Sequence, residues 1–474
     1  MWKNNLDNSQ KHSHYVAVVG GSVSGSEAAS MFAEQGVRVV VIDQNTLPYG
    51  KLEDGLPKWH VGLRDKQEAN IDQKLDKDKI RFIPNLKIGR DFSFQNLVDL
   101  GFSAVVLANG AWKDRPLPVS GIEKFRNSQL IYQNDLLKWY NHYHEENYSG
   151  QQYHIEDNVV VVGGGLASLD VIKIVMMELV EQKLKQKFGN NIIVDQFEME
   201  KKGIDKYLSN FDITYDDLDI KGATLIYRRK AKHMPLKQPQ GGTQEAKEKA
   251  QIVSQRILDN YRKKFHFHFI PEATPIDYIE ENGKLTGLVL QKYRTDENAK
   301  LYFVQGETMQ VQTTQVISSI GSVPEPIEGI PYEGDRLKTV ADSPSQIYGY
   351  KNVFAIGNAV TGKGNIKTAK EHGSMVTQSL LDKYLQKNTQ AFDMEIEAYN
   401  EEIRKKTDAK VASIFNDMFD KEAPSDITVD HIWEVSKKYQ DKVNFTDYKS
   451  WIATHKPKRY EEIIAERKKE QGMR

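Results

Sequence analysis

Short, largely apolar runs recur along the chain, separated by longer segments of mixed polarity. Tyr15 to Gly20, Val37 to Ile42, Ala104 to Leu107, Val159 to Val162, Thr224 to Tyr227, Gln315 to Ile320 and Asn352 to Ile356 are such runs. Runs of this length read as strands, and the first, closing on glycine, as a strand buried in a parallel sheet. Ser24 to Gln35 reads as a helix with small residues on its inner face. Pro116-Leu117-Pro118 and Gly121 mark a crossover between domains. Beyond about Asn388 the chain is highly charged and helix-prone, and that charge reads mainly as solvated helix faces. The pattern predicts an α/β fold.

Length and composition narrow the picture. A chain of 474 residues can build two or three domains with sizeable cores. With 65 Lys+Arg against 66 Asp+Glu the net charge is -1, which argues against general nucleic-acid binding. Cysteine is absent, so this chain holds no disulfide, no cysteine-ligated iron–sulfur cluster and no Cys-x-x-Cys redox pair. Met1 to His14 lacks the apolar core of a signal peptide, and no apolar run reaches the ~20 residues that span a bilayer. A soluble cytoplasmic protein without membrane insertion is expected.

Two glycine-rich turns carry the candidate chemistry. The first is Gly20-Gly21-Ser22-Val23-Ser24-Gly25, between the first strand and the first helix. Gly20 permits a tight turn, Gly25 lets the helix approach the sheet, and the helix N-terminus offers N–H groups to a pyrophosphate. Asp43 ends the next strand 18 residues beyond Gly25, close to the ~20 expected of a carboxylate that accepts ribose hydroxyls. Ser22 stands where a middle glycine is usual. The second turn is Gly163-Gly164-Gly165-Leu166-Ala167-Ser168, with Ser168 in place of the third glycine. Arg228 and Arg229, not an acid, follow its partner strand. Guanidinium groups suit a 2′-phosphate and a carboxylate would repel it, so NADP is favoured there over NAD. Gly357 to Lys363 nearly spells a phosphate-binding loop, but Gly364 stands where a magnesium-binding Ser or Thr belongs. No metal site is expected.

These motifs, with Pro48-Tyr49-Gly50 to Gly55-Leu56-Pro57, Ala108-Asn109-Gly110 and Gly163 to Val171, resemble adrenodoxin reductase and related ferredoxin–NADP reductases. Phe211-Asp212-Ile213-Thr214 resembles part of the long insertion this family carries before its arginine strand. Tyr227 to Pro235 is similar to the small subunit of glutamate synthase, a sister group. The resemblance covers roughly residues 15 to 375.

The resemblance implies two Rossmann-like three-layer nucleotide-binding domains and a charged helical C-terminal extension. The FAD domain would be discontinuous, 1–115 and 331–474, with an NADP domain, 116–330, inserted. FAD would be held by Gly20, Gly21, Ser22, Gly25, Asp43, Gly50, Leu52, Gly357, Asn358, Gly364, Asn365 and Ile366. NADPH would be held by Gly163, Gly165, Leu166, Ala167, Arg228 and Arg229. His60 and Asp170 match family positions that orient the nicotinamide or guide a proton. The implied activity is an NADPH-dependent reductase that passes electrons through FAD to an external carrier, ferredoxin or a similar iron–sulfur protein, as a monomer or a dimer. Arg229, Lys230, Lys232 and Lys237 form a basic stretch suited to an acidic carrier. A flavin monooxygenase, an electron-input subunit like the glutamate synthase small subunit, and a non-enzymatic dinucleotide sensor are the alternative functions.

Overall fold

In the computed structural model residues 14–472 are described, apart from 240, 342, 358–388 and 420. The first strands and helices run β1 (Tyr15–Val19), α1 (Val23–Glu34), β2 (Arg38–Ile42), α2 (Lys51–Asp54), α3 (Val61–Leu75), β3 (Ile80–Ile83), α4 (Phe94–Asp99) and β4 (Ala104–Leu107). The chain then crosses through β5 (Lys113–Asp114) to β6 (Leu130–Tyr132), α5 (Gln133–His142), β7 (Val159–Gly163), α6 (Leu166–Phe188), α7 (Gln196–Lys202), α8 (Ile204–Leu208), β8 (Ala223–Ile226), α9 (Gln244–Phe265) and β9 (His268–Ile270). An antiparallel trio follows, β10 (Ala273–Glu281), β11 (Lys284–Thr295) and β12 (Leu301–Gln312), and then β13 (Val316–Ser319). The return passes through β14 (Ser322–Val323), β15 (Tyr332–Glu333) and β16 (Arg336–Leu337) to β17 (Thr339–Val340), β18 (Ser343–Ile347) and β19 (Val353–Ala355). Helices α10 (Thr389–Phe419), α11 (Asp426–Lys442), α12 (Tyr448–His455) and α13 (Tyr460–Glu470) complete the described chain.

Two sheets organise these elements. One has the order β17-β18-β19-β4-β1-β2-β3, and β19, β4, β1, β2 and β3 are mutually parallel. The other, β6-β13-β7-β8-β9, is parallel throughout. Their central strands are Val-rich and buried along their length, as parallel strands covered by helices on both faces must be. Both sheets are Rossmann-like: strand, glycine turn, helix and parallel strand follow in order. The crossing and the return pair as an antiparallel ribbon, Ser322 opposite Asp114 and Val323 opposite Lys113, which joins the two units.

The C-terminal helices are less solvated than their charge suggests. In α10, Val411, Ile414 and Met418 enter the core around Ala28 and Phe32 of α1. Arg459 reaches the wholly buried Glu68 at 2.7 Å, Lys456 reaches it at 2.6 Å, and Arg459 also pairs with Glu53. At the far end of α13, Lys468 meets Asp195 of the second unit at 2.6 Å. So α13 is tied to both units by ion pairs. No described helix is long and apolar enough to cross a membrane.

Candidate functional site

The first turn borders a cavity of about 1100 Å³. Gly20, with φ +100°, leaves β1 so close to β4 that a Cβ would stand 2.6 Å from the Ala108 carbonyl oxygen. A Cβ on Gly25 would stand 1.7 Å from the Gly20 oxygen, so α1 starts at backbone contact with the turn. The first turn of α1 contains no acid, and its N-cap Ser22 makes no capping bond. Its N–H groups and the positive end of the helix dipole therefore remain available to an anion. The Ser22 hydroxyl instead donates to the Tyr49 carbonyl at 2.8 Å, fastening the turn to the loop that carries Gly50.

Asp43 is buried at the end of β2. It accepts the Gly21 N–H at 2.7 Å and the Asn45 N–H at 2.9 Å. Burial pushes its pKa up to about 6, against the opposing pull of these two amides. Gly20, Ser22, Asp43, Gly50, Leu52 and Gly357 all line the cavity. Gly21 and Gly25 do not line it; Gly21 packs against Pro48 and Asp43, and Gly25 against the Gly20 carbonyl. Asn358, Gly364, Asn365 and Ile366 lie outside the described residues. Asn109 also faces the cavity, and its side-chain oxygen is buried without a hydrogen-bond partner. An unpartnered buried acceptor, a free helix N-terminus and a ribose-spaced acid fit a dinucleotide.

The second turn is built alike. Gly163 ends β7, and a Cβ there would strike the Ser168 hydroxyl and the Ser319 carbonyl. Ser168 is fully buried and donates to that carbonyl at 3.1 Å, so the hydroxyl in the third glycine's place has its own partner. Gly164 lies beneath the Tyr227 ring, at a distance that leaves no room for a Cβ. Gly165 has open space beside it, and Leu166 and Ala167 begin α6, whose first turn also lacks acids. Val162 pairs with Ile226, which brings Arg228 and Arg229 to the same edge of the sheet as the turn. Arg228 is exposed, whereas Arg229 Nε donates to the Ala299 carbonyl at 2.7 Å. Lys232 is paired with Glu297 at 2.6 Å.

His60 precedes α3 and feels the charge of Asp170 in the first turns of α6, and neither lines the cavity. His60 Nε2 accepts from Trp59 Nε1 at 3.1 Å, which leaves the proton on Nδ1. Burial lowers its pKa while the Asp170 charge raises it, so the ring is held neutral. Asp170 pairs at 3.0 Å with Lys173, a buried cation that also meets Glu200 at 3.1 Å and lies 4.4 Å from the Trp59 ring centroid.

Other side chains at the cavity carried little sequence signal. Lys51 and Trp112 line it, as do Ile403, Lys406 and Lys410 of α10. A stripe did mark that helix: Ile403, Thr407, Val411, Ile414 and Met418 follow helical spacing and are all buried. Lys51 opens the four-residue α2 directly after Gly50, an element too short for periodicity to distinguish it.

Residues 16–194 match the pyridine nucleotide-disulphide oxidoreductase family. The mitochondrial NADPH:adrenodoxin oxidoreductase of Arabidopsis thaliana is 28% identical over 171 residues, 35% of this chain and 34% of that protein. The glutamate synthase [NADPH] small chain of Mycobacterium tuberculosis is 30% identical over 170 residues, 33% of this chain and 32% of that one. The NADPH-Fe(3+) oxidoreductase subunit beta of Geobacter sulfurreducens is 24% identical over 317 residues, 65% of this chain and 37% of its own length. The matches thus span about a third of each of these relatives. A solved structure, Mycobacterium tuberculosis FprA in complex with NADPH, has a TM-score of 0.62 at 18% identity and covers 91% of both chains. At that identity it bears on the fold alone. The resemblance to adrenodoxin reductase and the glutamate synthase small subunit is borne out, and so is the fold class.

Proposed function

We propose that this chain is an NADPH-dependent, FAD-containing oxidoreductase that passes electrons to an external iron–sulfur carrier such as ferredoxin. The observation that carries this is the cavity, which brings the first glycine turn, Asp43 and the unpartnered Asn109 oxygen together beside the ribbon leading to the second turn. The division into an FAD unit, 1–115 and 331–474, and an inserted NADP unit, 116–330, goes with this function, as does a cytoplasmic location. Bound FAD supplies an acceptor for hydride that then releases single electrons.

The chain's own residues do the rest. The N-termini of α1 and α6 would hold the two pyrophosphates, and Asp43 would accept the hydroxyls of the flavin nucleotide's ribose. Arg228 and Arg229 would select the 2′-phosphate. Neutral His60, with Asp170 anchored by Lys173, would orient the nicotinamide. No cysteine in this chain can hold a further redox centre, so the electrons leave it. The relatives that are subunits of larger enzymes favour a second assignment, an electron-input subunit, which would appear as copurification with a larger partner.

The flavin released by heat should co-migrate with FAD, and FMN alone would overturn this assignment. Changing His60 to Ala, or Asp170 to Asn, should slow flavin reduction by NADPH roughly tenfold in stopped flow while FAD content stays intact, since only positioning is lost. Wild-type rates in both variants would remove these residues from the site.

Asp43 adds a pH signature. Its pKa in the FAD-free fold is raised to about 6, and the ionised form is the better acceptor of two hydroxyls. Binding must then release a proton below that pH. FAD affinity should be level above pH ~7 and decline below ~6, by no more than about tenfold per pH unit. Asp43→Asn should bind more weakly with a flat profile. A variant that keeps the wild-type slope would assign the titration to another group.

A further inference from the structure

Lys51 is a cation on the cavity wall that the proposed function leaves without a role. Its Nζ donates to the Asn134 side-chain oxygen at 2.9 Å and to the Ser322 hydroxyl at 3.2 Å. Asn134 belongs to α5 and Ser322 to the return strand of the connecting ribbon. A lysine of the first unit is thus held by groups of the second. Asn134 in turn donates its side-chain amide to Ser322 at 3.1 Å, and its backbone N–H lies 3.3 Å from an Asp114 carboxylate oxygen. Lys51 lines the cavity and Asp114 does not, so the positive member of this cluster faces the space a ligand would fill. Just before Asn134, at the start of α5, Gln133 accepts from the Ser319 hydroxyl at 2.6 Å, and the Ser319 carbonyl accepts from Ser168 of the second glycine turn. A run of polar contacts therefore extends from the second turn to the Lys51 cluster.

We propose that Lys51 places its positive charge beside the reacting ring of the bound flavin and favours the reduced, anionic form of that ring. This rests on the FAD assignment above. The ring must lie where the two units meet, because its hydride donor comes from the second unit, and Lys51 occupies that wall. Hydride leaves nicotinamide C4 with both bonding electrons and bonds to flavin N5. The nicotinamide becomes cationic and the flavin ring gains one negative charge, with no further proton needed. Burial lowers the Lys51 pKa to about 8, so below that pH a fixed ammonium at the ring offsets the charge in a low-dielectric site at no cost in reorganisation. Lys51 acts on the electronics of the ring and is neither nucleophile nor acid.

The test compares the full-length flavoprotein with Lys51→Met, Lys51→Gln and Lys51→Arg, equilibrated anaerobically against a reference dye. The Met and Gln variants should keep oxidised FAD, and their ratio of reduced to oxidised flavin at fixed poise should fall roughly tenfold, a potential about 30 mV lower for the two-electron couple. The Arg variant should restore most of the shift. A purely structural role would alter FAD retention and leave the potential of bound flavin unchanged. Wild-type potential in whichever of the Met and Gln variants retains FAD overturns the proposal, and so does failure of Arg to restore the shift. A wild-type protein that binds no FAD overturns the functional assignment itself.

Discussion

Gly25→Ala should produce a nearly colourless protein. The new Cβ would stand 1.7 Å from the Gly20 carbonyl oxygen, well inside van der Waals contact, and both atoms are fixed. Gly20 is held by its N–H donating to the Ile42 carbonyl at 2.7 Å, and α1 is pinned by its buried face. The helix must therefore retreat from the turn, and its N–H groups leave the place where a pyrophosphate would bind. FAD affinity should fall on the order of a hundredfold or more, about 2.8 kcal/mol. Gly165→Ala is the control, since a Cβ at Gly165 meets nothing within 4 Å. That variant should fold, keep its FAD and lose only part of its affinity for NADPH. Titration of FAD into both stripped proteins measures the contrast. Equal FAD affinity in wild type and Gly25→Ala would mean the first turn does not hold the flavin nucleotide.

Replacing Arg228 and Arg229 together with Ala should largely remove the preference for NADPH over NADH. Charge-assisted bonds to a phosphate contribute roughly 1.5–3 kcal/mol each, about ten- to a hundredfold in affinity. The two arginines are not equivalent. Arg229 already spends Nε on the Ala299 carbonyl, whereas Arg228 is exposed beyond the end of β8. Arg228→Ala alone should therefore account for most of the loss in NADPH efficiency, with NADH efficiency little changed. An unchanged ratio in the double variant would place the 2′-phosphate on other residues.

What was legible in the chain was what a local rule enforces. Gly20, Gly25 and Gly163 show in the sequence because any side chain there collides with backbone or a fixed hydroxyl. Asp43 and the Arg228-Arg229 pair show because they end strands whose apolar runs are unmistakable, and parallel register then carries them to the edge where the turns lie. Elements that depend on distant partners do not show. Glu68 and Arg459 are far apart in the chain, and nothing local distinguishes a buried Arg459 from a solvated one. The antiparallel trio β10 to β12 is exposed over most of β12, so its polar and apolar residues alternate too weakly to declare a strand. Lys51 takes its meaning from Asn134 and Ser322, contributed by other parts of the fold.

Electron flow from NADPH through FAD to an iron–sulfur carrier can be followed directly by anaerobic stopped flow in two stages. The purified flavoprotein is first mixed with NADPH or NADH, and the reduced protein is then mixed with oxidised ferredoxin or with oxygen. Flavin bleaching should be much faster with NADPH than with NADH, ferredoxin should reoxidise the flavin faster than oxygen does, and added salt should slow that step where docking is electrostatic. Flavin that NADPH leaves oxidised, or reduced flavin that turns over only with oxygen and an added small molecule, would contradict this electron path, the latter in favour of a monooxygenase.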